Sequence, residues 1–404
     1  MRSSILLFIF SAFLPAPAFA QTSGDFFDSS VLHEIRLNIR AADWQYLKEH
    51  PWDDTHYVCD FHWIFQGKDF LAEQVSIRSR GRGSRSSVKP GLLVEFDRYT
   101  DKGFLGLSRL VLRNNTQDPS MLHERTAMAF MNLMGVPAPR VTHTRLYING
   151  EYAGLYSAAE AIDPVFLQRA FGESSGYLYE YEWAFGWHFE YLGADPARYS
   201  PVPFKRKNHE NDPAPSLLEV MVRAINLTAD PFFQSEVSQY VDLKKFMAYV
   251  AIENFLAEED GVLGDYGLNN FYLYRFQNSI SSQLIPWDKS NTFAYLGWPV
   301  FWHIDGSVLS RRAFDIPELR QVYIDTLRRC AELAGGPGGW LEQETTKEYY
   351  QIRDAAIQDP FKQCPDAGVI GSCSNEKFEE GVASVIFFAR YRAADILQQL
   401  GTAP

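Results

Sequence analysis

Positive charge is in short supply. The 404 residues carry 38 lysines and arginines against 50 aspartates and glutamates, a formal net charge of −12. An acidic balance excludes general nucleic-acid binding, which needs a basic surface to displace counterions from phosphate. It argues in the same way against an anionic membrane surface as partner. Cysteine is scarce as well: Cys59, Cys330, Cys364 and Cys373 are the whole supply, and their spacing resembles no zinc site. Beyond residue 20 no apolar run is long enough to cross a bilayer, so no transmembrane segment is expected. There is no internal repeat and no low-complexity tail. The zinc-hydrolase pattern His-Glu-x-x-His is missing, as is the Gly-x-x-x-x-Gly-Lys-Ser/Thr of a P-loop.

Residues 1–20 have the pattern of a secretory signal peptide. Arg2 supplies the positive start, residues 5–14 the short apolar region, and Ala18-Phe19-Ala20 the small-x-small cleavage site. The expectation is an exported chain, periplasmic or extracellular, cleaved after Ala20. In an oxidising compartment Cys364 and Cys373 lie close enough in sequence to close a small loop, while Cys59 and Cys330 are bridged or simply buried.

Hydrophobic alternation predicts strands over 31–39, 57–65 and 70–78, followed by 92–96, 107–112, 141–148 and 152–157. A short helix is predicted over 41–50, stopped by Pro51, and another from Asp118 to about Met134. Asn149-Gly150 is a two-residue hairpin signal. Residues 21–181 thus read as a β-rich, antiparallel first lobe. Residues 182–213, rich in aromatics, proline and asparagine, read as an irregular connection and the boundary between lobes. Residues 182–404 read as an α-rich second lobe. Predicted helices there cover 214–226, 241–255, 317–333, 341–357 and 374–400.

The chain is organised around residues 254–293. A helix ends near Phe255, and an acidic loop follows with Glu258, Glu259, Asp260 and Asp265. Then come the alternating strand Asn270-Phe271-Tyr272-Leu273-Tyr274, a polar turn, and Leu284-Ile285-Pro286 leading into Trp287-Asp288. Two strands joined by a turn would hold Asn270 at one end and Asp288 at the other, with a carboxylate base in the loop before them. That is the oxygen-ligand chemistry that Mg²⁺ and a nucleotide require. Upstream, residues 78–89 interleave glycines with Arg78, Arg80, Arg82, Arg85 and Lys89. Glycine permits close backbone approach and the cations suit phosphate.

In this order the motifs resemble the CotH kinase family. The resemblance runs over residues 31–293. It rests on the Arg-Gly-rich segment ending in Lys89, the Leu146-Tyr147-Ile148-Asn149-Gly150-Glu151-Tyr152 hairpin with Glu160, the Asn269-Asn270-Phe271 strand, and Ile285-Pro286-Trp287-Asp288. It implies an α+β, atypical protein-kinase-like fold of two lobes. It also implies an exported kinase that uses ATP with Mg²⁺ or Mn²⁺ to phosphorylate Ser or Thr of a protein partner. By the resemblance Lys89 contacts nucleotide phosphates, with Arg80 and Arg82 nearby, and Glu160 orients Lys89 through an ion pair. Asp260 is the base, and Asn270 and Asp288 hold the metal. Asp265 is the alternative base, because Asp265 and Asn270 have the protein-kinase spacing of Asp, four residues, Asn. Many relatives carry a second acid two places after Trp-Asp, where this chain has Ser290. Two other functions compete: a non-catalytic binding or structural protein of the cell envelope or surface on the same fold, and a carboxylate-pair hydrolase.

Overall fold

The computed structural model describes residues 21–212, 216–366 and 368–402; the expected signal segment, residues 1–20, lies outside them. The fold is mixed α and β. Its first part runs α1 (Ser23–Phe26), β1 (His33–Ile39), α2 (Ala41–Glu49), β2 (Tyr57–Phe65), β3 (Lys68–Ser79), β4 (Leu92–Glu95), β5 (Arg109–Arg113), α3 (His123–Leu133), β6 (Val141–Ile148) and β7 (Glu151–Glu160). These strands do not stay an open antiparallel sheet. They close into a barrel in the order β1-β2-β3-β4-β5-β7-β6, sealed by a parallel pairing of β1 with β6. Closure removes the two exposed edges that an open sheet would leave. Alternate residues of β1 and β2 point inward, where Leu37, Phe61, Trp63, Phe96 and Phe104 fill the interior.

The second part runs α4 (Pro164–Phe171), β8 (Tyr177–Tyr181), β9 (Phe204–Arg206), α5 (Ser216–Leu227), α6 (Asp230–Val237), α7 (Leu243–Phe255), β10 (Phe271–Arg275), β11 (Ser282–Pro286), α8 (Val308–Phe314), α9 (Pro317–Ala334), α10 (Trp340–Gln358), β12 (Gln363–Asp366), β13 (Val369–Ser372) and α11 (Asn375–Thr402). The central pair β10–β11 is not isolated: a four-stranded sheet runs β11-β10-β8-β9. Strand β9 lies inside the stretch read from sequence as irregular. Strand β8, which ends the expected first lobe, hydrogen-bonds to β10. The helices bury the larger of two cores, and the outer faces of β5, β6 and β7 (Val111, Val141, Leu155, Ala159) belong to it. Strand β7 is therefore buried on both faces over its second half and loses the alternation of an exposed strand.

Cys364 and Cys373 are bonded and clip the β12–β13 hairpin, with Cα atoms 5.1 Å apart. Cys59 and Cys330 are free and buried. Among the described residues no helix is long and apolar enough to cross a membrane.

Candidate functional site

The register of one hairpin builds the centre of the site. Phe271 of β10 pairs with Pro286 of β11, so the residues just outside the pairing, Asn270 and Trp287, become neighbours. The Trp287 amide donates to the Asn270 carbonyl at 3.2 Å. Asn270 and Asp288 both have positive φ, +56° and +46°. Non-glycine residues rarely adopt that conformation and it persists only where surrounding structure enforces it.

The acidic loop folds back over this hairpin end. Asn270 Nδ2 donates to Asp260 Oδ2 at 2.9 Å, and Asn269 Nδ2 to Asp260 Oδ1 at 2.9 Å. Behind Asp260 lies a buried network. Lys289 Nζ donates to Glu253 Oε1 at 2.6 Å and to the Asn270 carbonyl at 3.2 Å. Glu253 Oε2 receives the Val262 amide at 2.8 Å, and Glu258 Oε1 the Asp260 amide at 2.9 Å. Gly261 lets the loop come this close, since a Cβ there would stand 2.6 Å from Glu258 and 2.8 Å from Glu253. Burial pushes the Asp260 carboxyl up to about 6, the Asn269 bond pulling it down and the Asp288 charge adding to the rise. Burial would raise Asp288 too, but the Arg113 and Arg80 guanidiniums outweigh it and hold the carboxyl below its ordinary range.

Cations come from the barrel wall. Arg113, at the end of β5, places Nη1 2.7 Å from Asp288 Oδ2 and Nε 3.2 Å from Glu124 Oε1 of α3. Its guanidinium lies 4.6 Å from the Trp287 ring centroid, and that of Arg80 lies 5.1 Å from the same centroid. Among the described residues Arg80 has no ion pair, and burial together with repulsion from Arg113 lowers its pKa. Arg80, Asp260, Asn270 and Asp288 line one cleft of about 730 Å³ between the barrel and the β8–β11 sheet. Arg82 sits at its mouth, 3.7 Å from Glu182 and against the Trp183 ring.

Other expected site residues lie elsewhere. Lys89 is fully buried away from the cleft, with Nζ 2.7 Å from Asp359 Oδ2 and 2.8 Å from the Leu155 carbonyl. The expected Lys89–Glu160 ion pair is not formed: Glu160 pairs with Arg140 at 2.8 Å and Arg169 at 2.6 Å. The barrel decides this, because Lys89 turns toward the loop after α10 while Glu160, at the end of β7, faces α4. Asp265 is exposed outside the cleft, accepting from Trp302 Nε1 at 2.7 Å. Of the two candidate bases, only Asp260 lines the cleft. Sequence reasoning missed Arg113, Glu124 and Glu253. The signal for Arg113 was slight, a charged residue closing an otherwise apolar strand, Arg109-Leu110-Val111-Leu112-Arg113. The letters Gly172-Glu173-Ser174-Ser175-Gly176 match a nucleophile elbow, but they join helix α4 to strand β8, the reverse of the strand-to-helix turn that motif needs.

No three His, Cys, Asp or Glu side chains converge to hold a metal by themselves among the described residues. Mg²⁺ beside a nucleotide takes one or two carboxylates and completes its shell with phosphate and water oxygens. Asp288 and Asn270 fit that smaller donor set, with the Asp260 carboxylate close enough that the charge of Asp288 raises it.

The chain belongs to the CotH kinase family: the family model described as CotH kinase protein matches residues 77–394. The match continues well past Phe293, where the sequence resemblance stopped, through helices α8 to α10 and most of α11. Among curated proteins the chain is similar to the inner spore coat protein H of Bacillus subtilis (strain 168), 23% identical over 350 residues, covering 83% of this chain and 91% of that one. It is also similar to an inner spore coat protein H-like protein of the same organism, 26% identical over 308 residues, covering 72% of this chain and 87% of the relative. A solved structure, the Helicobacter pylori proinflammatory kinase CtkA, overlaps 76% of this chain and 95% of its own at 10% identity, with a TM-score of 0.31, too slight a likeness to argue from.

Proposed function

We propose that this chain is an exported kinase of two-lobed, atypical protein-kinase type, transferring the γ-phosphate of ATP to Ser or Thr hydroxyls of a protein partner. The observation that carries the reading is the gathering of Asp260, Asn270, Asp288 and Arg80 around one cleft. Membership of the CotH kinase family supports it, and the names of the curated relatives, inner spore coat proteins, favour a partner in a protein coat. The signal-peptide pattern of residues 1–20 supports export.

Phosphoryl transfer needs positioning and charge neutralisation more than covalent chemistry. Asp260 accepts the proton of the attacking hydroxyl. A carboxyl raised to about 6 is well matched to that task, being ionised at neutral pH yet more basic than a solvated aspartate. Arg80, free of any carboxylate partner among the described residues, takes the nucleotide phosphates. Asp288 and Asn270 hold the divalent ion, Mg²⁺ or Mn²⁺, which supplies charge neutralisation at the phosphates when bound. Lys289, bonded to Glu253 and the Asn270 carbonyl, keeps Asn270 and Asp288 in their strained backbone conformations.

Calorimetric titration of ATP into the mature chain, with Mg²⁺, Mn²⁺ or EDTA, tests the reading. Metal-dependent micromolar binding that vanishes in Asp288→Ala is the expected outcome. Well-folded wild type that binds no ATP with either metal would refute it, leaving a binding or structural protein on the same fold.

A further inference from the structure

Typical protein kinases bring two divalent ions to the phosphates, held by an aspartate and an asparagine. The carboxylates around this cleft are already spoken for. Asp118 spends Oδ1 on the Ser120 amide and hydroxyl and Oδ2 on the His123 amide. Glu180 accepts from Tyr272 at 2.9 Å and from Lys207 at 2.8 Å. Glu124 takes the Lys289 amide at 2.7 Å on one oxygen and faces Arg113 with the other. Position 290 is a serine whose hydroxyl donates to Asp288 Oδ1 at 2.9 Å. At the cleft mouth Asp54 pairs with Arg78 and Arg85, and Glu182 with Arg82 and Lys205. Among the described lining residues that leaves Asp260, read as the base, with Asn270 and Asp288, and Asp288 Oδ2 carries Arg113.

Arg113 is itself enclosed. The Glu124 charge faces its Nε side, the Trp287 face lies along its guanidinium, and its side chain is 11% exposed. Nε stands 3.2 Å from Glu124 Oε1 without hydrogen-bond geometry, and Nη2 has no hydrogen-bond partner among the described residues either; an unpartnered, nearly buried Nη2 is what a group built to meet a ligand oxygen looks like in the absence of the ligand. A guanidinium is always charged and suited to phosphate geometry. Here it stands on the metal aspartate as an ion would.

We propose that Arg113 is the resident second cation of this site. It takes the position of one of two metal ions on Asp288, so the chain uses a single divalent ion per bound nucleotide. This rests on the nucleotide-binding reading above.

The experiment counts Mn²⁺ bound per chain at saturating ATP, from the electron paramagnetic resonance signal of the free ion, with folding of each variant followed by thermal melting. Wild type and Arg113→Lys are expected to bind one Mn²⁺ per nucleotide-bound chain. Arg113→Ala, and Arg113→Gln as the variant that keeps the stem over Trp287, are expected to admit a second. Two Mn²⁺ in wild type would overturn the proposal while leaving the nucleotide site standing. A count of one in folded Arg113→Ala and Arg113→Gln would also overturn it, and tighter Mn²⁺–ATP binding in those variants would then mark Arg113 as a latch against the metal. Failure of wild type to bind Mn²⁺–ATP at all would strike the underlying reading and the proposal with it.

Discussion

Two aspartates that arrive late in the chain, Asp288 and Asp359, each meet a cation delivered by the barrel. Asp288 meets Arg113 from β5 at 2.7 Å, and Asp359 meets Lys89 from the β3–β4 loop at 2.7 Å. The chemistry is nearly the same and the surroundings are not. Asp288 keeps 25% of its side chain exposed at a cleft, while Lys89 and Asp359 are both wholly enclosed. The Leu155 amide donates to Asp359 at 2.9 Å, and Gly154 is required beside it, since a Cβ there would lie 2.5 Å from Asp359 Oδ1. An ion pair closed off from water is a joint. An ion pair at the wall of a cleft is a site. The joint still serves the site, because Lys89 together with Arg85, Asn114 and the Ser86–Gln363 bond pins the loop that begins at Arg80.

Removing one partner of the joint should have the largest effect. Asp359→Ala leaves the Lys89 ammonium buried without its anion, and should cost about 3–5 kcal/mol of stability, read from denaturant unfolding. Adding Lys89→Met should recover part of that loss. A larger loss of ATP affinity in the folded double variant than in folded Asp359→Ala would place Lys89 in the nucleotide site, beyond its part in pinning the loop.

On the cleft side, Asp260→Asn should lower kcat by about 10²–10⁴-fold while ATP affinity holds. The same variant tests the pH dependence. A base must be ionised, so wild-type activity should fall as pH drops below about 6, the value to which burial and Asp288 raise this carboxyl. That acid limb should disappear in Asp260→Asn, and its survival would assign the titration to another group. Asp265→Asn should leave the limb in place.

Opening the clip beside the joint is a smaller perturbation. Replacing Cys364 and Cys373 by serine removes a loop of sequence separation 9, worth about 2–3 kcal/mol by chain entropy. Reductant should lower the melting temperature of wild type toward that of the variant, and an unchanged melt would show that the hairpin is held by packing alone. Smallest of all, Arg80→Ala should weaken Mg²⁺–ATP binding about tenfold, roughly 1.4 kcal/mol, the loss of one charge-assisted bond. Arg82→Ala, exposed and paired with Glu182, should change it by about twofold at most. Equal losses for the two would mean that the cleft does not distinguish its wall from its mouth.

Local pattern was enough for most elements. Alternation in 57–65 and in 141–157, the stop at Pro51 and the Asn149-Gly150 turn are properties of neighbouring residues, and the strands and helices built on them stand within a few residues of their predicted ends. The order of Asn270 and Asp288 around one hairpin was legible for the same reason, since register follows from two short strands and a turn. Short elements with weak periodicity, α6, α8 and β9, were not. Neither was the parallel β1–β6 pairing, which joins strands about a hundred residues apart and leaves no local trace.

The Asn270–Asp288 hairpin, the acidic loop beside it and the family resemblance were legible in the sequence, because each is a short-range arrangement. Which charge meets which follows from contacts between segments far apart in sequence. Lys89 and Arg113 read alike along the chain, as cations close to apolar strands, one shortly before β4 and one closing β5. Closure of the barrel buries one against Asp359 and leaves the other beside Asp288. The physical reason is water. Whether a charge pair works as a joint or as a site depends on the solvent left around it, and that is set by packing between segments far apart in sequence.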